Sequence, residues 1–149
     1  LRYEIVQQIK QDFPQLEVIL NGGLKTIDEM QQQLSWADGV MIGREAYHNP
    51  GLLLDVDHAF YGREQAMLER KDIIRAMYPY IEAHLAQDGK LAYITRHILG
   101  LFNGLPGSRQ FRRHLSEQAY KKTADLQIIE DAMALMPDNA DIEPASPTT

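Results

Sequence analysis

Apolar and polar positions alternate between two periodicities in the first third of the chain. Ile5, Ile9 and Phe13 recur at helical spacing from Arg2 to Phe13, and Pro14 ends that pattern. Glu17-Val18-Ile19-Leu20 then reads as a short buried strand, broken by Asn21-Gly22-Gly23, where glycine permits positive φ. Thr26 with Glu29 has capping-box spacing and predicts a helix to about Leu34. Asp38-Gly39 turns into a second strand, Val40-Met41-Ile42, which Gly43 closes, and a further helix is expected over Pro50 to Phe60.

Helix and strand in alternation with short links predict a parallel sheet, and strands this short suit a barrel. Two strands alone cannot cover both faces of such a sheet, so this stretch is expected to be part of a larger α/β fold.

Beyond Gly62 only helical periodicity remains. One helix is expected from Glu64 to Ala86, with Met67, Ile74, Met77, Tyr78, Ile81 and Leu85 as its apolar stripe, a kink at Pro79 and an end at Asp88-Gly89. Others are expected over Leu91 to Phe102, from Ser108 as N-cap to Lys122, and from Leu126 to Leu135. From Pro137 the chain is poor in aliphatics and reads as a disordered tail. The fold class is therefore α/β then all-α: residues 1–61 as the last βα units of a barrel, 62–136 as a helical bundle domain, 137–149 as tail.

Charge changes the picture more than composition does. The net charge of -6 would disfavour a polyanionic partner, but it is unevenly spread. Residues 89–122 carry seven Lys/Arg against one acid, Glu117, while residues 126–149 carry five acids and no Lys or Arg. A basic segment of this kind can hold a phosphate backbone locally. The absence of cysteine rules out disulfides, thiolate metal sites and a cysteine nucleophile within these 149 residues. No apolar run is long enough to span a bilayer and no signal-peptide layout is present, so a cytoplasmic location is expected. Nothing in the pattern predicts an oligomer.

Candidate chemistry lies in two loops. Asn21-Gly22-Gly23 and Gly43-Arg44 each follow a strand, and in a parallel βα barrel those ends form the functional face. Glycine lets backbone N–H groups approach a phosphate, a following helix N-terminus adds partial positive charge, and arginine supplies a forked donor. The pair is also read as ordinary βα turns with a solvated arginine. Arg109, Arg112 and Arg113 share one helix face, as either a phosphate-contacting patch or a solvated one. The five histidines lack metal-ligand spacing, so no metal is expected; Tyr78, Tyr80, Tyr93 and Trp36 read as packing residues.

Four stretches, Ile19–Leu24, Asp38–Tyr47, Ile94–Phe102 and Leu105–Arg113, resemble the A subfamily of tRNA-dihydrouridine synthases in order and spacing, and the resemblance extends from residue 1 to about 136. It implies that the chain is the C-terminal part of such an enzyme, with a TIM-type FMN barrel. Asn21, Gly22, Gly23, Gly43 and Arg44 are then expected to bind FMN at its phosphate end. The helical region is expected to dock tRNA, with Arg109 and Arg112 at the subfamily's tRNA-binding positions and Arg113 and Arg96 supporting them. The implied reaction reduces a D-loop uridine to 5,6-dihydrouridine with FMN and NADPH, a cysteine serving as general acid. That cysteine is expected upstream of Leu1, so no catalytic residue is assigned and the chain alone is expected to be inactive. Alternatives are a non-catalytic RNA-binding helical module and a helical protein-interaction domain.

Overall fold

The computed structural model describes residues 1–64 and 69–137, and packing divides the chain into two compact units, Leu1–Ala66 and Met67–Thr149. The first is a βα unit: α1 (Tyr3–Asp12), β1 (Ile19–Asn21), α2 (Ile27–Leu34), β2 (Gly39–Met41), α3 (Arg44–His48), a 3-10 turn (Pro50–Asp55) and α4 (Val56–Tyr61). β1 and β2 are parallel neighbours, with Ile19 opposite Gly39, Leu20 opposite Val40 and Asn21 opposite Met41. Their carboxyl ends, and the loops that follow them, therefore lie side by side.

Among the described residues of this unit, the buried apolar side chains are Leu20, Leu24, Met30 and Ala37. The stripe expected on α1 is real as a pattern but buries little: Ile5 and Ile9 are 43% exposed and Phe13 50%. Two strands offer a helix too narrow a surface to cover such a stripe. What ties α1 down is polar. Lys10 Nζ, at the end of the helix, reaches the Leu16 carbonyl at 2.7 Å and Asp38 Oδ2 at 2.7 Å, and the same Asp38 carboxylate accepts from the Val18 N–H.

The capping box at α2 forms as expected, with Thr26 Oγ1 accepting from the Glu29 N–H. The helix expected over Pro50 to Phe60 is instead a 3-10 turn followed by α4, which Gly62 ends in the left-handed conformation at φ 61°. The strands sit at Ile19–Asn21 and Gly39–Met41, offset from the expected windows by one or two residues.

The described part of the second unit contains α5 (Arg70–Ala76), α6 (Tyr78–Leu85), α7 (Leu91–Thr95), α8 (Ser108–Gln118) and α9 (Leu126–Ala134). A single kinked helix was expected over Glu64 to Ala86. Among the described residues it is two helices, broken at Met77, with Pro79 in the first turn of α6, where its missing N–H costs nothing. Met67 of the expected stripe, and the tail from residue 138, lie outside the described residues.

The helix expected over Leu91 to Phe102 stops at Thr95. Successive i→i+3 turns follow, and they bury Ile98, Leu101 and Phe102. Gly100 lowers the helix propensity of this stretch, and the tighter turns still deliver the apolar side chains to the core. Ser108 is not the N-cap of α8. Gly107 holds that position at φ 82°, and a Cβ there would lie 2.6 Å from the Leu135 carbonyl oxygen. The helices enclose one core that includes Ile74, Ile81, Leu91, Phe111, Leu115, Ile129 and Met133, with the Phe102 and Phe111 rings edge to face at 4.7 Å.

Candidate functional site

The parallel register sets Asn21 and Met41 side by side at the ends of β1 and β2, so the loops after them share one cleft of about 580 Å³. All five residues expected to bind the cofactor, Asn21, Gly22, Gly23, Gly43 and Arg44, line it. So do Lys25, Glu45 and His48, which sequence reasoning missed, although Lys25 stands directly after the first loop. Neither Lys25 nor Arg44 makes a side-chain hydrogen bond or ion pair among the described residues. Set against Glu45, the two cations leave the wall one positive charge.

Gly22 and Gly23 have φ of 137° and 67°, conformations that favour glycine. The Tyr3 hydroxyl donates to the Gly22 carbonyl and so fixes the loop from α1. At Gly43 the situation differs. Its φ of -111° suits any residue, and a Cβ would meet nothing nearer than Met41 Sδ at 3.9 Å.

One expected contribution is already taken. The Glu29 carboxylate accepts from the backbone N–H of Lys25 at 2.7 Å and of Thr26 at 3.2 Å, which neutralises the first turn of α2. α3 spans only five residues. An anion in this cleft would therefore depend on the loop amides, Arg44 and Lys25 rather than on a helix N-terminus.

The expected basic face lies in the second unit and its members are unequal. Arg109 is exposed, and its side chain has no hydrogen bond or ion pair among the described residues. Arg112 is half-buried and donates to Asn103 Oδ1 at 3.0 Å. Arg113 is held by Glu117 at 2.8 Å, a hydrogen-bonded pair that raises the guanidinium pKa further above its ordinary value. Arg96, at the end of α7, lies 5.9 Å from the centre of the Tyr93 ring and donates from Nε to His97 Nε2 at 3.0 Å. Arg109 and Arg112 were expected to lead this face with Arg113 widening it; among the described residues Arg109 is unengaged, Arg112 is bonded to an amide and Arg113 is paired.

The tyrosines also divide. Tyr78 is half-buried as expected, but Tyr80 and Tyr93 are 63% and 51% exposed, against the expectation that they pack in the core. Trp36 is half-buried and donates from Nε1 to Gln33 Oε1. His114 Nε2 is enclosed without a partner among the described residues. Among those residues, no group of three or more His, Cys, Asp or Glu is placed to hold a metal ion, and no helix is long and apolar enough to cross a membrane.

A parallel βα unit with glycine loops gathered at the strand carboxyl ends is the signature of α/β proteins that carry their sites there. Residues 1–136 match the family model described as Dihydrouridine synthase (Dus), and the chain belongs to that family. The family is one of TIM barrels, whereas the described residues are mostly helical with two strands.

The chain is 49% identical over 138 residues to the tRNA-dihydrouridine(20/20a) synthase of Salmonella typhimurium strain LT2, which covers 93% of this chain and 42% of that protein. It is 50% identical over 136 residues to the protein of the same name from Yersinia pestis, covering 91% and 39%. For Escherichia coli strain K12 the figures are 49% over 138 residues, covering 93% and 40%. The chain thus spans about two fifths of the length of the curated relatives it matches. These matches do not support a C-terminal position within such proteins, and that expectation is withdrawn.

Proposed function

We propose that this chain is part of a tRNA-modifying flavoenzyme that reduces uridine to 5,6-dihydrouridine in the tRNA D-loop. The designation 20/20a in its relatives' names suggests the uridines concerned. The chain's own share is the phosphate end of an FMN site and a helical face that docks tRNA. The observation that carries this reading is the meeting of Asn21-Gly22-Gly23 and Gly43-Arg44 in one cleft, within a chain about 49% identical to those synthases.

The lining of the cleft, two cations and two glycine loops against one acid, supports a phosphate there. The φ of Gly43 is open to any residue and a Cβ there would have room, so the reading that glycine serves close approach of a ligand is supported by the lack of a packing need for it. Arg44 offers a planar fork of donors and Lys25 a mobile point charge. Gly22 and Gly23, fixed by Tyr3, present backbone at the same wall. Bound there, FMN would supply hydride transfer to the uracil ring, with NADPH as its reductant. A cysteine general acid cannot come from these 149 residues, so this chain binds and orients rather than donating that proton. Arg109, Arg112, Arg113 and Arg96 are proposed to hold tRNA phosphates, which positions the RNA without reading its sequence. The target uridine must leave the stack to reach a flavin, and a fixed backbone gives that movement its leverage.

The test compares FMN with riboflavin, which differ by the phosphate, by quenching of flavin fluorescence on titration with the chain. FMN should bind more tightly by roughly tenfold or more, the value of a charge-assisted hydrogen bond, and Arg44→Ala should erase the difference. Equal binding of the two flavins by the unaltered chain would sink the assignment. The basic segment over residues 89–122 also favours a second reading, an RNA-binding module without flavin chemistry. It predicts tRNA binding with no preference for FMN.

A further inference from the structure

We propose that Tyr120, with Lys90, Arg96, Lys121 and Lys122, forms a second RNA site in the helical unit, one that takes unpaired nucleotides by stacking a base on the Tyr120 ring. The inference rests on the reading that this unit docks RNA, and adds where and in what form the RNA is held.

Tyr120 follows the C-cap of α8 and is 67% exposed, so its ring is a large apolar surface turned to water. It belongs to two depressions at once. One is a cleft of about 570 Å³ that it lines with Lys90, Lys121 and Lys122; the other is a small hollow that it shares with Arg96 and Ser116. Four cations therefore line the two depressions that share this exposed ring. No ion pair engages Lys90, Arg96, Lys121 or Lys122 among the described residues, whereas Arg113, on α8, is held by Glu117. Asp88 is the one acidic side chain in the lining of the larger cleft.

Tyr93 organises two of the cations. Lys90 Nζ and the Arg96 guanidinium each lie 5.9 Å from its ring centre, within cation–π range, so the ring steadies both charges beside Tyr120. No such cation covers the Tyr120 ring among the described residues. Its face is free for a flat, uncharged group flanked by negative charge, which is the description of a nucleobase on its phosphodiester strand. A duplex hides its base faces in the stack and needs only the cations; an unpaired strand can use both the ring and the charges. Arg109 and Ser116, seven residues apart, fall on one stripe of α8, and Tyr120, two residues past the end of that helix, shares a hollow with Ser116. The site thus continues the arginine face rather than lying apart from it.

The test measures binding of a labelled oligouridylate of about ten nucleotides, within the site sizes usual for single-strand binders, and in parallel of labelled tRNA. Tyr120→Ala should weaken oligouridylate binding roughly five- to a hundredfold, the usual loss on removing a stacking ring, and Tyr120→Phe should restore it. Lys121→Ala with Lys122→Ala should reduce the log–log salt slope by about 1.4, two single-strand phosphates. Unchanged thermal melting of each variant separates lost contact from lost fold. If Tyr120→Ala binds oligouridylate as the unaltered chain does, while Arg109→Ala with Arg112→Ala weakens tRNA binding, the stacking site is wrong and the docking reading stands. If neither RNA binds, or poly-glutamate competes as well as RNA, both fall.

Discussion

The Tyr78 hydroxyl donates a hydrogen bond to Glu130 Oε1 at 2.5 Å and so joins α6 to α9, while Arg75 approaches the same carboxylate at 3.4 Å. The carboxyl is held below its ordinary range chiefly by the tyrosine bond, with Arg75 adding to it. The phenol is pushed well above its own range, first by burial and then by Glu130. A depressed carboxyl contributes stability above its unfolded value of about 4.3, lost as pH falls through the folded value. A raised phenol contributes stability below about 10, lost as pH rises further. Tyr78→Phe should therefore cost about 1 kcal/mol between those limits and less outside them. Urea denaturation of both proteins across the pH range measures the difference.

Gly43 and Gly23 separate ligand approach from folding. Gly43→Ala should leave thermal stability unchanged, because the added Cβ meets only Met41 Sδ at 3.9 Å, yet weaken FMN relative to riboflavin. Gly23→Ala should destabilise the first unit by about 1 kcal/mol or more through its φ of 67°, and its Cβ would press on Leu1 at 2.6 Å. Paired melting curves and flavin titrations check both. A loss of stability at Gly43→Ala would return that glycine to a structural role.

The pairing of Arg113 with Glu117 yields a gain-of-binding prediction. Glu117→Ala frees the guanidinium and removes a negative charge from the basic face, so tRNA should bind more tightly at low salt, with a log–log slope steeper by about 0.9. Arg113→Ala should cost less than Arg109→Ala, whose side chain needs no release from a partner. Anisotropy titrations at two salt concentrations would show either order.

Asp38 gives a structural counterpart. Its carboxyl is held below its ordinary range first by the Lys10 hydrogen bond and then by the Val18 N–H. Lys10→Met should lower the melting temperature of the first unit above pH 5, and the gap should close as Asp38 is protonated in acid. An unchanged melting temperature at neutral pH would show that α1 is secured by other contacts.

How much of this was legible in the sequence depended on whether the deciding contacts were local. Thr26 and Glu29 announced α2 because a capping box is complete within four residues. The two glycine loops were legible for the same reason, and the parallel register then brought them together. α3 was missed since five residues are too few to display a period. Leu91 to Phe102 presented the same spacing whether it continued as a helix or tightened into i→i+3 turns, so the early end of α7 was hidden. Periodicity placed Tyr93 on a helix without saying which way it faced. Arg113 and Glu117 had i, i+4 spacing in plain view, but Glu117 entered only as the one acid of the basic segment and not as the partner of Arg113.

Gly107 carries a consequence of another order. Its φ of 82° disfavours any side chain, and the Leu135 carbonyl 2.6 Å from an added Cβ forbids one again, so two independent penalties fall on one site. Surface arginines can be exchanged singly and regained over generations, because each loss costs only some affinity. A change at Gly107 would cost the join between α8 and α9 in one step. Across the lineages that keep this helix pair, residue 107 should be the stationary point around which the RNA-facing surface is free to drift.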